Sequence, residues 1–327
     1  MVTVGESTDV VDLRGGTLLP GFNDVHDHYF AVESRIRSAN PVRDLELFQS
    51  RMNGAGYTGL TALPAQGMCA ERMADWASLT DSGRQTLRLH VAGVVTGGNL
   101  DDDLQELYRA SRGYLGGRLQ MPAGRIVVGG ADGRSEWNAE SLLTACVAVN
   151  RMGLQLYVHV IGGASLDGVL TALEAARDEL PGVRIANVIS HAKAVDHSEC
   201  ERAAALGVRM LPQPLWHYRQ LGSPAVTNPF AAIQAAADPR RGEVAPSVAE
   251  LLRGFTIEGA RTMHADRETG SLEPGKSADM IVVDRDILSE PVRSVGDTKV
   301  LATYFAGRPV AGAALPGVLA DTRAHPA

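Results

Sequence analysis

Cysteine is scarce in this chain: Cys69, Cys146 and Cys200 stand far apart among 327 residues. Three scattered thiols make no disulfide framework, so the small, stapled secreted folds are excluded and reduced, buried cysteines are expected. Long apolar runs are also missing. Spanning a bilayer takes roughly 20 consecutive apolar residues, and no stretch reaches that. Basic runs are absent too, and the net charge is −7, which argues against a nucleic-acid surface or a polybasic membrane patch. The opening segment, Met1 to Leu13, carries acids and has no apolar stretch after basic residues, so it does not read as a secretory signal. A cytoplasmic location is the resulting expectation. No repeat of fixed period and no low-complexity segment is present.

What the chain does have is the balance of an ordinary globular protein, 45% hydrophobic and 21% charged. Its length allows one large domain and a small one, at ~100–200 residues per domain. Buried-strand patterns recur at Thr17–Leu19, Thr58–Leu63, Thr86–Val95, Arg125–Gly129, Leu154–Val160, Arg184–Ile189 and Val208–Leu211. Between them lie stretches with helical apolar spacing, among them Ser141–Met152, Leu166–Leu180 and Ser198–Leu206. Strands alternating with helices imply βα units around a parallel sheet, and seven such units favour a (β/α) barrel. From Gly270 the texture turns rich in turn residues, and Asp279–Val283 and Val300–Phe305 read as strands with no helix between them.

Four histidines stand at the ends of strand-like runs. His26 and His28 are two apart, so on a strand both imidazoles project from one face, a spacing that suits chelation of one metal ion. His159 closes the run Gln155-Leu-Tyr-Val-His159, in which Gln155, Tyr157 and His159 share one face and the apolar residues share the other. His191 follows Ile185-Ala-Asn-Val-Ile-Ser190. Barrel enzymes place their chemistry at the C-terminal ends of the strands. Any one of these residues is most simply a buried, hydrogen-bonded histidine. Four at successive strand ends point to a metal site.

The run Leu18-Leu-Pro-Gly-Phe-Asn-Asp-Val-His26-Asp-His28 resembles the first-strand signature of the amidohydrolase superfamily. Val158-His159-Val-Ile-Gly162, Ile189-Ser-His191-Ala and Leu206-Gly-Val-Arg-Met-Leu-Pro-Gln213-Pro are similar to the fifth, sixth and seventh strands of its amidohydrolase 3 (YtcJ-like) branch. Thr256-Ile-Glu-Gly-Ala-Arg-Thr-Met and Gly270-Ser-Leu-Glu-Pro-Gly-Lys resemble its C-terminal motif. The resemblance implies a TIM-like (β/α) barrel at 22–265, either complete or short of a strand. It also implies a small β-sandwich built from both termini, 1–21 and 266–327. It further implies one Zn²⁺, held by three of His26, His28, His159 and His191, and a small-molecule amide, cyclic amide or N-acyl substrate. A site that has degraded would hold no ion. The oligomeric state is left open, a homo-oligomer included.

Three features depart from the pattern. Met1-Val-Thr-Val-Gly looks like the middle of the usual N-terminal β segment. Val128 stands about where a metal-bridging lysine is expected, which argues against two metal ions. The eighth strand, with the Asp that ligates metal and takes the water's proton, is missing between Gln213 and Pro229. An irregular path is therefore expected for Trp216–Thr227, with the first and seventh strands incompletely paired. Asp132 is the nearest substitute base, although an Asp-Gly turn explains it as well. Asp24 and Asp27 read as capping or ligand-supporting groups, and His90 and His217 as core or loop residues. Two rival readings stand beside the hydrolase: a homologue without catalytic function, and a metal-dependent lyase or isomerase on the same scaffold.

Overall fold

The computed structural model describes residues 10–28, 40–64, 69–114, 116–129, 135–161, 166–192, 195–211, 228–238 and 245–312. The first strand-like run is two strands that belong to different sheets, β1 (Thr17–Pro20) and β2 (Phe22–Asp27). Gly21 lies between them. A side chain there would collide with Thr58, and its N–H donates to Asp279 O at 2.8 Å, so a residue without Cβ lets the chain pass from one sheet to the other.

β2 opens a seven-stranded parallel sheet. It continues through β3 (Tyr57–Ala62), β4 (Arg88–Val94), β5 (Leu119–Val128), β6 (Gln155–Val160), β7 (Val188–Ser190) and β8 (Arg209–Leu211), in that order. Helices α1 (Pro41–Gly54), α2 (Cys69–Asp81), α3 (Leu100–Gly113), α4 (Ala139–Arg151), α5 (Leu166–Glu179) and α6 (His197–Leu206) return the chain between strands. Their starts are written in the residues. Asn40 caps α1 with Pro41 behind it, and Asn138 with Ser141, and Asp196 with Glu199, close reciprocal capping boxes on α4 and α6. Gly207, at φ 67°, ends α6 in the left-handed conformation.

The sheet curls, so its two faces differ. Leu156, Val158, Ile126, Leu89 and Ile189 face the helices and join one large apolar cluster with Trp76, Val149 and Leu170. The inner face is lined by Leu63, Ala92, Ala123, Tyr157 and Val188, where two alanines leave room for one tyrosine. Burial of each large apolar side chain stabilises the fold by about 1.5–3 kcal/mol.

Among the described residues the sheet does not close: β2 pairs only with β3, and β8 only with β7. β2 is packed by Phe230 of α7 (Pro229–Ala237) and by the continuation of α8 (Val248–Arg253) through a π-helical turn, Gly254–Glu258, into α9 (Gly259–Thr262). Asn23 Nδ2 donates to Thr256 O at 3.0 Å, and the Phe22 ring packs on Phe230 and Phe255. Trp216–Thr227 lies outside the described residues.

β1 joins a second, antiparallel sheet with β9 (Met280–Val283), β10 (Val300–Phe305) and β11 (Arg308–Gly312), in the order β1-β9-β10-β11. Three expectations change. β5 starts at Leu119 rather than Arg125, running through Pro122 and Gly124. The strand expected over 184–189 is confined to Val188–Ser190, because Ala186 O accepts from Gln155 Nε2 and Asn187 Oδ1 takes the Leu156 N–H. Cys146 is buried, whereas Cys200 is exposed on α6 rather than buried. Among the described residues no helix is long and apolar enough to cross a membrane.

Candidate metal centre

His26 lies in β2 and His28 directly follows it, His159 is the penultimate residue of β6, and His191 follows β7. The curl of the sheet brings all four together, and one ring nitrogen from each lies within 4.8 Å of the others. The His26 ring sits 4.8 Å from each of the other three, centroid to centroid. His191 has φ 72°, a left-handed backbone that a non-glycine residue adopts at some cost and that is common at functional sites.

Hydrogen bonds fix which nitrogen of two rings carries the proton. Tyr157 has a single O–H, and it donates to Val25 O at 2.6 Å. The His26 Nδ1 that lies 3.0 Å from the same oxygen is therefore the donor, and neutral His26 turns the lone pair of Nε2 into the cluster. His159 is the reverse. Arg125 Nε donates to its Nδ1 at 3.0 Å, so in neutral His159 the proton sits on Nε2. Both Nε2 atoms are buried and find no hydrogen-bond partner among the described residues. Buried ring nitrogens without a partner, in a group of four imidazoles whose ligand atoms lie within 4.8 Å of one another, are the arrangement a cation would satisfy, and His26 can offer its electron pair as it stands. His159 can do so once the bond from Arg125 is given up.

The environment keeps these rings neutral, as ligands must be. Burial, then the neighbouring His28, His191 and Arg125, holds His26 well below the usual imidazole range. Burial likewise lowers His159, followed by His26 and Arg125. His28 is pushed down to about 4 by burial, Arg125 and His191, against a backbone hydrogen bond with Leu63.

No carboxylate joins the four histidines among the described residues. Val128 packs outward with the apolar layer, and the β5 residue level with His159 is Val127, so β5 offers no bridging ligand. What β5 does contribute is Arg125, a residue that sequence reasoning missed; an arginine amid an apolar strand, Arg125-Ile-Val-Val, was the available signal. Half-buried Asp24 accepts the His26 N–H at 3.0 Å, and burial raises its carboxyl. Asp27 is buried, and its carbonyl accepts the Leu63 N–H at 3.0 Å. His90 is buried in β4 and does not join the cluster; burial, His264 and Arg88 push it down to about 3. Asp132 and His217 lie outside the described residues.

Comparison with known proteins agrees with this geometry. The sequence pattern of the amidohydrolase family matches residues 39–311. The N-substituted formamide deformylase of Arthrobacter pascens is 21% identical over 81% of this chain, which spans 60% of the deformylase's length. The crystal structure of A. niger ochratoxinase superposes with a TM-score of 0.66 at 15% identity, covering 94% of this chain and 86% of that one. E. coli guanine deaminase gives 0.65 at 16% identity, covering 94% and 88%. At such identities the two structures show a common fold.

Proposed function

Since the chain belongs to the amidohydrolase family, we propose that it hydrolyses a carbon–nitrogen bond of a non-peptide amide or cyclic amide, as a cytoplasmic enzyme holding one divalent metal ion. The observation that supports this reading is the convergence of four imidazoles, three of them, His26, His28 and His159, held low by burial and by neighbouring charges, with two ring nitrogens that find no hydrogen-bond partner among the described residues. His26, His28 and His191 would hold the ion, taken to be zinc from the all-nitrogen donor set. Such an ion supplies a Lewis acid for a carbonyl and lowers the pKa of a water to roughly 7.

The chain's own groups do the rest. Tyr157 orients His26 by accepting its Nδ1 proton. His159, held by Arg125, presents its Nε2–H to the same space, where it can donate to a substrate carbonyl oxygen. Asp132 is proposed as the base that takes a proton and returns it to the leaving nitrogen. The proposal extends to the organisation of the chain: residues 22–265 form the barrel, and 1–21 with 266–327 form the small β unit. A homologue without catalytic function would account for the lack of a strand between β8 and β2 among the described residues, but not for four imidazoles gathered in one place.

Elemental analysis of the purified protein is the first test. One ion per chain is expected, falling below about a tenth of that in His26→Ala and His191→Ala. No ion, or two, in the wild type sinks the proposal. N-substituted formamides are the substrates to try first with the loaded protein.

A further inference from the structure

Arg125 is a buried-side cation whose partners are both neutral. Nε donates to His159 Nδ1 at 3.0 Å and Nη1 to Pro64 O at 2.8 Å, and no carboxylate pairs with it among the described residues. These two bonds place the guanidinium at the mouth of the sheet, one imidazole's width from the centre of the histidine cluster. Its charge reaches His26, His28 and His159, lowering all three. Burial brings Arg125 down to about 10, so it remains charged at neutral pH.

The mouth therefore holds a fixed positive charge beside the histidine cluster, in which His26, His28 and His159 are held low. A divalent cation on those rings would add more positive charge, with no acidic group in the cluster among the described residues to offset it. Charges of one sign gathered among half-buried groups call for an anion. Of the five N–H donors of a guanidinium, two are engaged among the described residues, and the others lie in the plane that matches a carboxylate's two oxygens.

We infer that Arg125 recognises a carboxylate on the substrate, so that the chain acts on amides whose acid group lies only a few atoms from the scissile carbon–nitrogen bond. This rests on the hydrolase reading and deepens it. The spacing suits it: in an N-acyl amino acid two atoms, N and Cα, separate the acyl carbon from the carboxylate carbon, comparable to the width of the His159 ring that separates Arg125 from the cluster. Arg125 would hold the carboxylate, and a cation held by the histidines would add to the positive field that the acid group meets.

Binding of N-acetylglycine and of its neutral counterpart N-acetylglycinamide, measured by titration calorimetry at pH 7, tests this. Zinc-loaded wild type is expected to prefer the acid by at least about tenfold, and Arg125→Gln, with unchanged zinc content, to bind the two alike. Arg125→Met serves the same purpose should the Gln variant fail to fold. Linkage is reciprocal, so N-acetylglycine should also tighten zinc binding in the wild type and not in either variant. A purely structural role for Arg125 through His159 would leave that coupling in place. Equal binding of acid and amide by wild type, or a preference that survives loss of Arg125, overturns the inference. Wild type that takes up no metal sinks the hydrolase reading instead; the acid–amide comparison is then made on the metal-free chain, where Arg125 is unchanged.

Discussion

Arg88 and Arg125 stand on adjacent strands, and their surroundings are opposite. Arg88, at the start of β4, donates to Asp279 Oδ2 at 2.8 Å and to Glu268 Oε2 at 3.0 Å, and its guanidinium lies over the Phe305 ring. The Asp279 carboxylate is fully engaged, accepting also from Thr269 Oγ1, Ser277 Oγ and the Ala306 N–H. This seam joins the parallel sheet to the antiparallel one, with every charge answered. Near the end of β5, Arg125 meets a ring nitrogen and a carbonyl, beside two histidine nitrogens that find no partner among the described residues. Buried polar groups are costly when unpaired, so saturation marks the region that holds the fold together, and its lack marks the region shaped for something not of this chain.

The largest effect expected from breaking this contrast is at the seam. Asp279→Ala strands Arg88 and three further donors, and should cost about 3–5 kcal/mol in urea denaturation. Arg125→Met in the metal-free protein should change stability by no more than about 1 kcal/mol, in either direction, since no paired charge is broken. Losses of equal size at both positions would erase the distinction.

Next in size is the response of the metal-free mouth to acid. His28 titrates at about 4 in the folded chain, against an ordinary value of 6.5. Below pH 6.5 the unfolded chain takes up a proton that the folded one refuses, so stability, fully present above that pH, falls as pH drops and levels off below about 4. His26 and His159, lowered by burial as well, act in the same direction. Denaturation midpoints that stay flat from pH 7 to 5 would mean that the rings are not buried together.

A smaller, more specific effect is expected at Tyr157. Tyr157→Phe removes the acceptor that fixes the His26 proton on Nδ1, and roughly 10–100-fold weaker metal binding should follow, read by competition with a chromophoric chelator. Unchanged affinity would show that the tautomer of His26 is set by something else.

The sequence made the site more legible than its surroundings. His26 and His28 could be paired because alternation on a strand is strict, and His159 and His191 because each ends an apolar run. Arg125 was invisible as a member of the site, since its meeting with His159 depends on the register of β5 against β6, which no local pattern encodes. The first half of β5 was hidden by Pro122 and Gly124, both poor strand formers. Residues 184–187 carry strand-like apolar content, yet Gln155 and Asn187 side chains occupy the hydrogen bonds a ladder would need. Such substitutions of side chain for backbone are tertiary facts.

The handover at Gly21 bears on how the protein folds. β2, which carries His26, runs directly from β1, and β1 is held only by strands from the far end of the described chain: Leu18 pairs with Val282, and Thr17 Oγ1 bonds Arg285 O, 268 residues on. Contacts so distant in sequence are slow to form, because a very long loop must close before they repay its entropy. β1 therefore gains its anchor late, whereas β2, which carries His26, has a partner nearer in sequence in β3.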